Sequence, residues 1–109
     1  MHCNLKRLVI TNIIYVNRSV DKYVNVYKIG SGDLTWHDII NYISKKGKPV
    51  LLATGASTME EVELAMGVLE KENNGIVLMQ CNTNYTGDKK NIESLNLNVI
   101  KTYQKIFGK

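Results

Sequence analysis

A strand-then-helix unit recurs along this chain at constant spacing, and that recurrence limits the fold more than any single motif does. Apolar, β-branched runs open near residues 24, 50 and 76, about 26 residues apart. A break of small polar residues follows each run, and then an apolar stripe at helical spacing. The first unit is Val24-Asn25-Val26-Tyr27-Lys28-Ile29, broken by Gly30-Ser31-Gly32-Asp33. Its helix is expected to begin at a Thr35 cap, with Asp38 three residues on, and to bury Trp36, Ile39, Ile40 and Ile43. Gly47 and Pro49 end it. The second unit runs Val50-Leu51-Leu52-Ala53, then Thr54-Gly55-Ala56, then a helix with a Ser57/Glu60 capping box and a buried face of Val62, Ala65, Met66 and Leu69. The third is Ile76-Val77-Leu78-Met79-Gln80-Cys81, a polar loop over residues 82–93, and a helix burying Leu97, Ile100, Tyr103, Ile106 and Phe107, with Val99 alongside.

Alternation at this spacing implies right-handed βαβ units on a parallel sheet, and hence an α/β fold. The nearly continuous apolar runs at 50–53 and 76–81 suit strands covered on both faces. Residues 1–20 stand outside the pattern. Residues 5–16 are apolar enough for a strand but fit neither a period of two nor one of 3.6, so the segment stays unassigned beside a domain over 21–109.

Composition narrows the function classes. A chain of 109 residues holds one small domain. Its net charge of +4 is modest, its cations are scattered, and Glu60, Glu61, Glu63, Glu70 and Glu72 answer them. That describes a solvated mixed surface and no nucleic-acid footprint. Two cysteines 78 positions apart give neither a disulfide framework nor a zinc site. Cys81, ending an apolar run, is expected to be a buried thiol in a reducing compartment. The apolar runs are too short to span a bilayer, and the N-terminus lacks a signal-peptide pattern, so a cytoplasmic protein with no membrane partner is expected. His2 and His37 have no Cys, Asp or Glu at ligand spacing, and no Ser/His/Asp arrangement assembles.

Strand-to-helix loops gather at the carboxyl edge of a parallel sheet, where sites are built. Three such loops carry Gly-Ser-Gly-Asp, Thr-Gly-Ala-Ser and Cys-Asn-Thr-Asn-Tyr-Thr-Gly. Lys28, inside a strand and just before Gly30-Ser31-Gly32, reads as an anion site shared with Ser31 and the Gly32 amide, or as an edge lysine reaching water. Thr54 is open between an anion-lip role and a structural one, whereas Ser57 is taken as the helix cap. Asn82, Thr83, Asn84 and Tyr85 suit a hydroxyl-rich ligand, or equally a polar turn.

Three stretches together resemble the sialic acid synthase family, which makes N-acetylneuraminate and related nonulosonates such as legionaminate. They are Val26-Tyr27-Lys28-Ile29-Gly30-Ser31-Gly32-Asp33-Leu34, Gly47-Lys48-Pro49-Val50-Leu51-Leu52-Ala53-Thr54-Gly55-Ala56-Ser57 and Gln80-Cys81-Asn82-Thr83-Asn84-Tyr85. The resemblance covers about residues 21–109. It implies part of a TIM-type (β/α)8 barrel, about three consecutive βα units. It also implies a transferase that condenses phosphoenolpyruvate with an open-chain N-acetyl aminosugar such as N-acetylmannosamine, helped by a divalent metal (Mn2+ or Mg2+). A homodimer is one assembly open to the intact enzyme. By resemblance, Lys28, Ser31, Gly32 and Thr54 lie on the phosphoenolpyruvate side, and Thr83 and Tyr85 on the aminosugar side.

Two departures accompany the match. Ala53-Thr54-Gly55 stands where many members have Ser-Thr-Gly, and Gln80-Cys81-Asn82-Thr83-Asn84-Tyr85-Thr86 stands where many have His-Cys-Thr-Ser/Asn-x-Tyr-Pro. The family's catalytic glutamate, a further substrate lysine and its metal-binding histidines belong to barrel segments outside the matched stretch, so no catalytic or metal residue is assigned here. The expectation is a central fragment of a synthase barrel. The alternatives are a non-catalytic remnant or interaction module, and another barrel synthase acting on phosphorylated three-carbon substrates.

Overall fold

The computed structural model describes residues 8–11, 21–72 and 75–109. Four short strands, β1 (Leu8–Thr11), β2 (Val26–Ile29), β3 (Val50–Ala53) and β4 (Ile76–Met79), pair in parallel in the order β1-β2-β3-β4. Helices α1 (His37–Ser44), α2 (Met59–Leu69) and α3 (Val99–Phe107) follow β2, β3 and β4. The repeated unit is therefore βα, as its spacing implies, and the class is α/β. β1 adds a strand inside the segment left unassigned by periodicity. Leu8, Val9, Ile10 and Thr11 pair in register with Val26, Tyr27, Lys28 and Ile29. Four residues are too few to display a period, which is why the pattern hid it.

Period-two alternation sorts the sheet into two faces. Tyr27, Ile29, Val50, Leu52 and Ile76 belong to the core cluster, together with Ile39, Ile40 and Ile43 of α1 and Val62, Ala65, Met66 and Leu69 of α2. The intervening positions turn the other way, and register aligns Lys28, Leu51 and Val77 across three strands. This second face is only partly covered, and Val77 is 52% exposed. The continuous apolar strands thus have one packed face and one open face among the described residues.

Three local expectations are corrected. Helix α1 starts at His37 with Trp36 as its N-cap, and no side chain caps it. Thr35 is therefore not the cap, and Trp36 lies outside the stripe, 41% exposed. The cause is a tight turn: Asp33 accepts the Trp36 amide through its backbone carbonyl, which uses up the residues that a Thr35 cap would need. In α2 the capping box is Thr58/Glu61, one residue later than Ser57/Glu60. Thr58 Oγ1 accepts from the Glu61 amide at 3.3 Å, and Glu61 Oε2 accepts from the Thr58 amide at 2.8 Å. Adjacent Ser-Thr and Glu-Glu pairs write two overlapping boxes, and the preceding turn decides between them by bonding the Ser57 amide to Thr54 O. In α3 only Tyr103 is buried, with Val99 and Phe107 partly so. Leu97 precedes the helix, and Ile100 and Ile106 face outward.

At the amino edge of the sheet a polar cluster ties the chain leading into β2. Tyr27 donates its hydroxyl to Asp21 Oδ1 at 2.6 Å, and Lys48 donates to the same oxygen at 2.8 Å and to the Asp21 carbonyl. Lys46 stands 3.7 Å from Asp21 Oδ2 and over the Tyr42 ring. The Lys48 and Tyr27 donors hold the Asp21 carboxyl below its usual range. Burial and the adjacent Asp21 charge push the Tyr27 hydroxyl well up. The Lys46 ammonium donates to the Tyr42 hydroxyl, and this bond holds Lys46 above its usual range.

Candidate functional site

The strand-to-helix loops meet at the carboxyl edge, where sequence reasoning places them. After β2, the chain turns through the 3-10 segment Ser31–Asp33, closed by the Asp33 amide donating to Gly30 O at 3.0 Å. The Ser31 and Gly32 amides stand in the first positions of this turn, where a 3-10 segment supplies no carbonyl of its own to accept from them. After β3, Gly55 takes a left-handed conformation, φ 54°. A Cβ there would lie 2.5 Å from Ser31 Cβ and 2.7 Å from Thr83 Cγ2. Gly55 is thus the point at which all three loops touch, and only a residue without a side chain fits.

A cleft of about 530 Å³ opens beside this junction. Lys28, Gly30, Ser31, Gly32 and Asp33 form its β2 side, and Cys81, Asn82 and Tyr85 its β4 side, with Ala53 between. Lys28 belongs to the open face of the sheet and is half-buried, which brings one cation to a wall otherwise made of small residues. Tyr85 is 91% exposed, so its ring stands at the rim. The arrangement suits a ligand with an anionic end near Lys28 and a hydroxyl-rich end near Asn82 and Tyr85.

Four of the six residues singled out from sequence therefore share one cleft: Lys28, Ser31, Gly32 and Tyr85. The other two lie elsewhere. Thr54 is fully buried, its amide donating to Met79 O at 2.9 Å and its hydroxyl within reach of Gln80 Oε1 at 3.0 Å and Met79 O at 3.3 Å. It joins β3 to the end of β4 beneath the lip. Thr83 lines a smaller adjoining cavity of about 210 Å³, with Gly55, Gln80 and Ser94. Sequence reasoning missed Asp33 and Cys81 as cleft residues. Asp33 reads locally as a strand breaker, and nothing in its spacing shows that the turn faces the ligand side. Cys81 is half-exposed and lines both cavities, in place of the buried thiol expected from its apolar neighbours. The strand stops at Met79, so Cys81 already belongs to the loop.

A divalent cation wants several oxygen or imidazole donors. Among the described residues no three His, Cys, Asp or Glu side chains gather to supply them, and Asp33 is the one carboxylate in the cleft. These residues do not fit the metal that the resemblance implies. No helix among the described residues is long and apolar enough to cross a membrane.

Comparison with known proteins places the fold and the lineage. The chain is 39% identical over 108 residues to an uncharacterized protein of Methanocaldococcus jannaschii, covering 88% of this chain and 31% of that protein. It is 30% identical over 84 residues to human N-acetylneuraminate-9-phosphate synthase, covering 77% of this chain and 23% of that enzyme. It therefore spans less than a third of the length of these relatives. The crystal structure of a spore coat polysaccharide biosynthesis protein from Bacillus subtilis superposes with a TM-score of 0.82 at 20% identity, over 93% of this chain and 28% of that one. The four parallel strands and their helices are thus a section of a TIM-type barrel fold. The sequence model of the NeuB family matches residues 3–109, which takes in most of the segment that periodicity left unassigned. This chain belongs to the NeuB family.

Proposed function

We propose that this chain supplies the phosphoenolpyruvate-binding wall of a nonulosonate synthase, a cytoplasmic enzyme that condenses phosphoenolpyruvate with an N-acetyl aminosugar. The observation that supports it is Lys28 in the wall of the carboxyl-edge cleft, beside the Ser31–Asp33 turn. A lysine ammonium there meets the phosphate or carboxylate of the substrate. The Ser31 hydroxyl and the Gly32 amide add directional donors to the same group. Asn82 and Tyr85, across the cleft, offer an amide and an aromatic face to the aminosugar. In the reaction, C3 of phosphoenolpyruvate bonds to the sugar aldehyde carbon, water adds at C2, and phosphate departs with cleavage of the C2–O bond. This chain's groups bind and orient; the proton-transfer residues belong to other parts of a full barrel.

The test is calorimetric titration of the full chain with phosphoenolpyruvate, wild type against Lys28→Ala. Loss of one charge-assisted contact is expected to weaken binding by about tenfold or more, since such a bond is worth about 1.5–3 kcal/mol. Equal affinity in both proteins refutes the assignment.

The open face favours a second reading, an interaction module without activity of its own. Val77 on the sheet, with Leu97, Ile100 and Ile106 near and on α3, are exposed apolar side chains. A monodisperse monomer in sedimentation that binds phosphoenolpyruvate counts against that reading, whereas self-association without ligand binding supports it.

A further inference from the structure

The loop over residues 82–91 carries the aminosugar side of the cleft, and its hydrogen bonds converge on one side chain. Asn84 Nδ2 donates to Asn91 Oδ1 at 2.6 Å, and Asn91 Nδ2 donates to Thr86 Oγ1 at 3.2 Å. The Thr86 hydroxyl lies 3.4 Å from Asn91 Oδ1. Asn82 Nδ2 donates to the Asn91 carbonyl at 2.9 Å. Tyr85 is therefore bracketed on both sides by residues tied to a single amide, and Asn82 is tied to the same residue's backbone. Asn91 itself is held in place: it sits in the 3-10 turn Lys89–Ser94, which Asp88 caps by accepting from the Lys90 amide at 2.9 Å. The Asn91 backbone N–H donates to Asp88 O at 3.0 Å, which closes the frame.

We infer that Asn91 is a positioning residue that sets the selectivity of the cleft for its hydroxyl-rich ligand. It acts by holding Tyr85 and Asn82 at the rim. The inference rests on the reading of the cleft as a site for an anion and an aminosugar, and it deepens that reading. Asn91 does not line the cleft, so it reaches the ligand only through the loop it anchors. An exposed loop of this length would otherwise sample many conformations, and a ring that must be ordered on binding contributes less to affinity. Lys28 lies on β2 and Ser31 and Gly32 in the turn that follows it, so the anion end of the cleft is built from a different stretch of chain than the Asn91 network.

The full chain is titrated separately with N-acetylmannosamine and with phosphoenolpyruvate. Asn91→Ala is expected to weaken the sugar by about fivefold or more, since two side-chain hydrogen bonds are lost, and to leave phosphoenolpyruvate unchanged. Asn91→Asp keeps an acceptor for Asn84 and a second for the Thr86 hydroxyl, so sugar affinity returns to within about twofold of wild type. In a Tyr85→Ala background, Asn91→Ala is expected to have little further effect, because the ring it positions is gone. Equal losses for both ligands, no loss for either, or full additivity with Tyr85→Ala overturns the inference. Wild-type binding of phosphoenolpyruvate without any of the sugar overturns this inference alone, whereas failure of the wild type to bind phosphoenolpyruvate overturns the anion site itself.

Discussion

Substituting Gly55 by alanine tests whether the three loops meet where the structure places them. Two penalties combine at this position. The first is conformational: at φ 54° a Cβ crowds the backbone, at about 1–2 kcal/mol. The second is steric, because the added carbon would sit 2.5 Å from Ser31 Cβ, 2.7 Å from Thr83 Cγ2 and 3.0 Å from Ser31 Oγ. Ser31 Cβ cannot rotate away and moves only with its backbone, so the loops must part, at about 1–3 kcal/mol. Together these give about 2–5 kcal/mol, a large share of the 5–15 kcal/mol that holds a typical domain. Gly47 supplies the control, with φ 66° and no atom within 4 Å of an added Cβ. Gly47→Ala should show the conformational penalty alone. Urea unfolding of both variants gives the comparison as a shift in midpoint at constant slope. Gly55→Ala should lose at least about 1 kcal/mol more than Gly47→Ala, and adding Ser31→Gly should recover part of the difference. Equal losses at the two glycines would refute the junction.

The other predictions concern the polar contacts at the two edges of the sheet. Thr54→Val keeps the shape of the side chain but removes the hydroxyl that reaches Gln80 Oε1 and Met79 O, and should cost about 1–2 kcal/mol in chemical denaturation. Stability should also depend on pH through Asp21, whose carboxyl is held below its ordinary value of 3.8. A lowered folded value means that the stabilisation is complete above 3.8 and is lost as pH falls through the folded value, so Asp21→Asn should flatten the acid limb of the curve. Tyr27 and Lys46 are raised above their ordinary values of 10.0 and 10.5. Their stabilisation is complete below those values and falls as pH climbs beyond them, which unfolding midpoints measured from pH 8 to 11 would detect.

Much of this was legible in the residues because the signals were local and redundant. The stripes Ile39, Ile40, Ile43 and Val62, Ala65, Met66, Leu69 are buried as their spacing requires. The Gly-Ser-Gly and Cys-Asn-Thr-Asn-Tyr loops fall on one edge because every strand in the sheet runs parallel. What escaped was decided by neighbours in space or by a residue's place in a turn. Ser57 and Thr58 are equally good caps by type, and a turn from Thr54 selects the second. Ile100 and Ile106 follow a helical period perfectly well, yet burial depends on what lies opposite them, and no sequence window holds that. Thr54 sits beside Gly55 in a loop motif that suggests a ligand, but its hydroxyl turns to the end of β4. Asn91 was invisible for the opposite reason: its partners are the side chains of Asn84 and Thr86, at separations set by a loop with no regular period.

Tyr27 and Lys28 show how one strand serves two purposes with adjacent residues. They point to opposite faces, Tyr27 into the helix-covered core and Lys28 toward the open face. The Tyr27 hydroxyl runs to Asp21 at the amino edge, while Lys28 reaches the cleft at the carboxyl edge. A slip of one residue in the β2–β3 register would exchange them, burying an ammonium among Ile40, Ile43 and Leu52 and leaving the cleft with a phenol. Register here is therefore fixed by the cost of that exchange, and stability and the proposed binding role fall to neighbouring residues. Tyr27→Phe removes one hydrogen bond to a partly exposed carboxylate and should lower stability by about 1 kcal/mol. Affinity of the folded chain for phosphoenolpyruvate should be untouched. Lys28→Ala should abolish most of that affinity while leaving the Tyr27–Asp21 hydrogen bond in place. The double variant should show each loss undiminished, because the Tyr27 hydroxyl runs to Asp21 at the amino edge and Lys28 faces the cleft at the carboxyl edge. If Tyr27→Phe weakened phosphoenolpyruvate binding as much as it lowered stability, the two faces would be coupled through the strand, and this division of labour would be wrong.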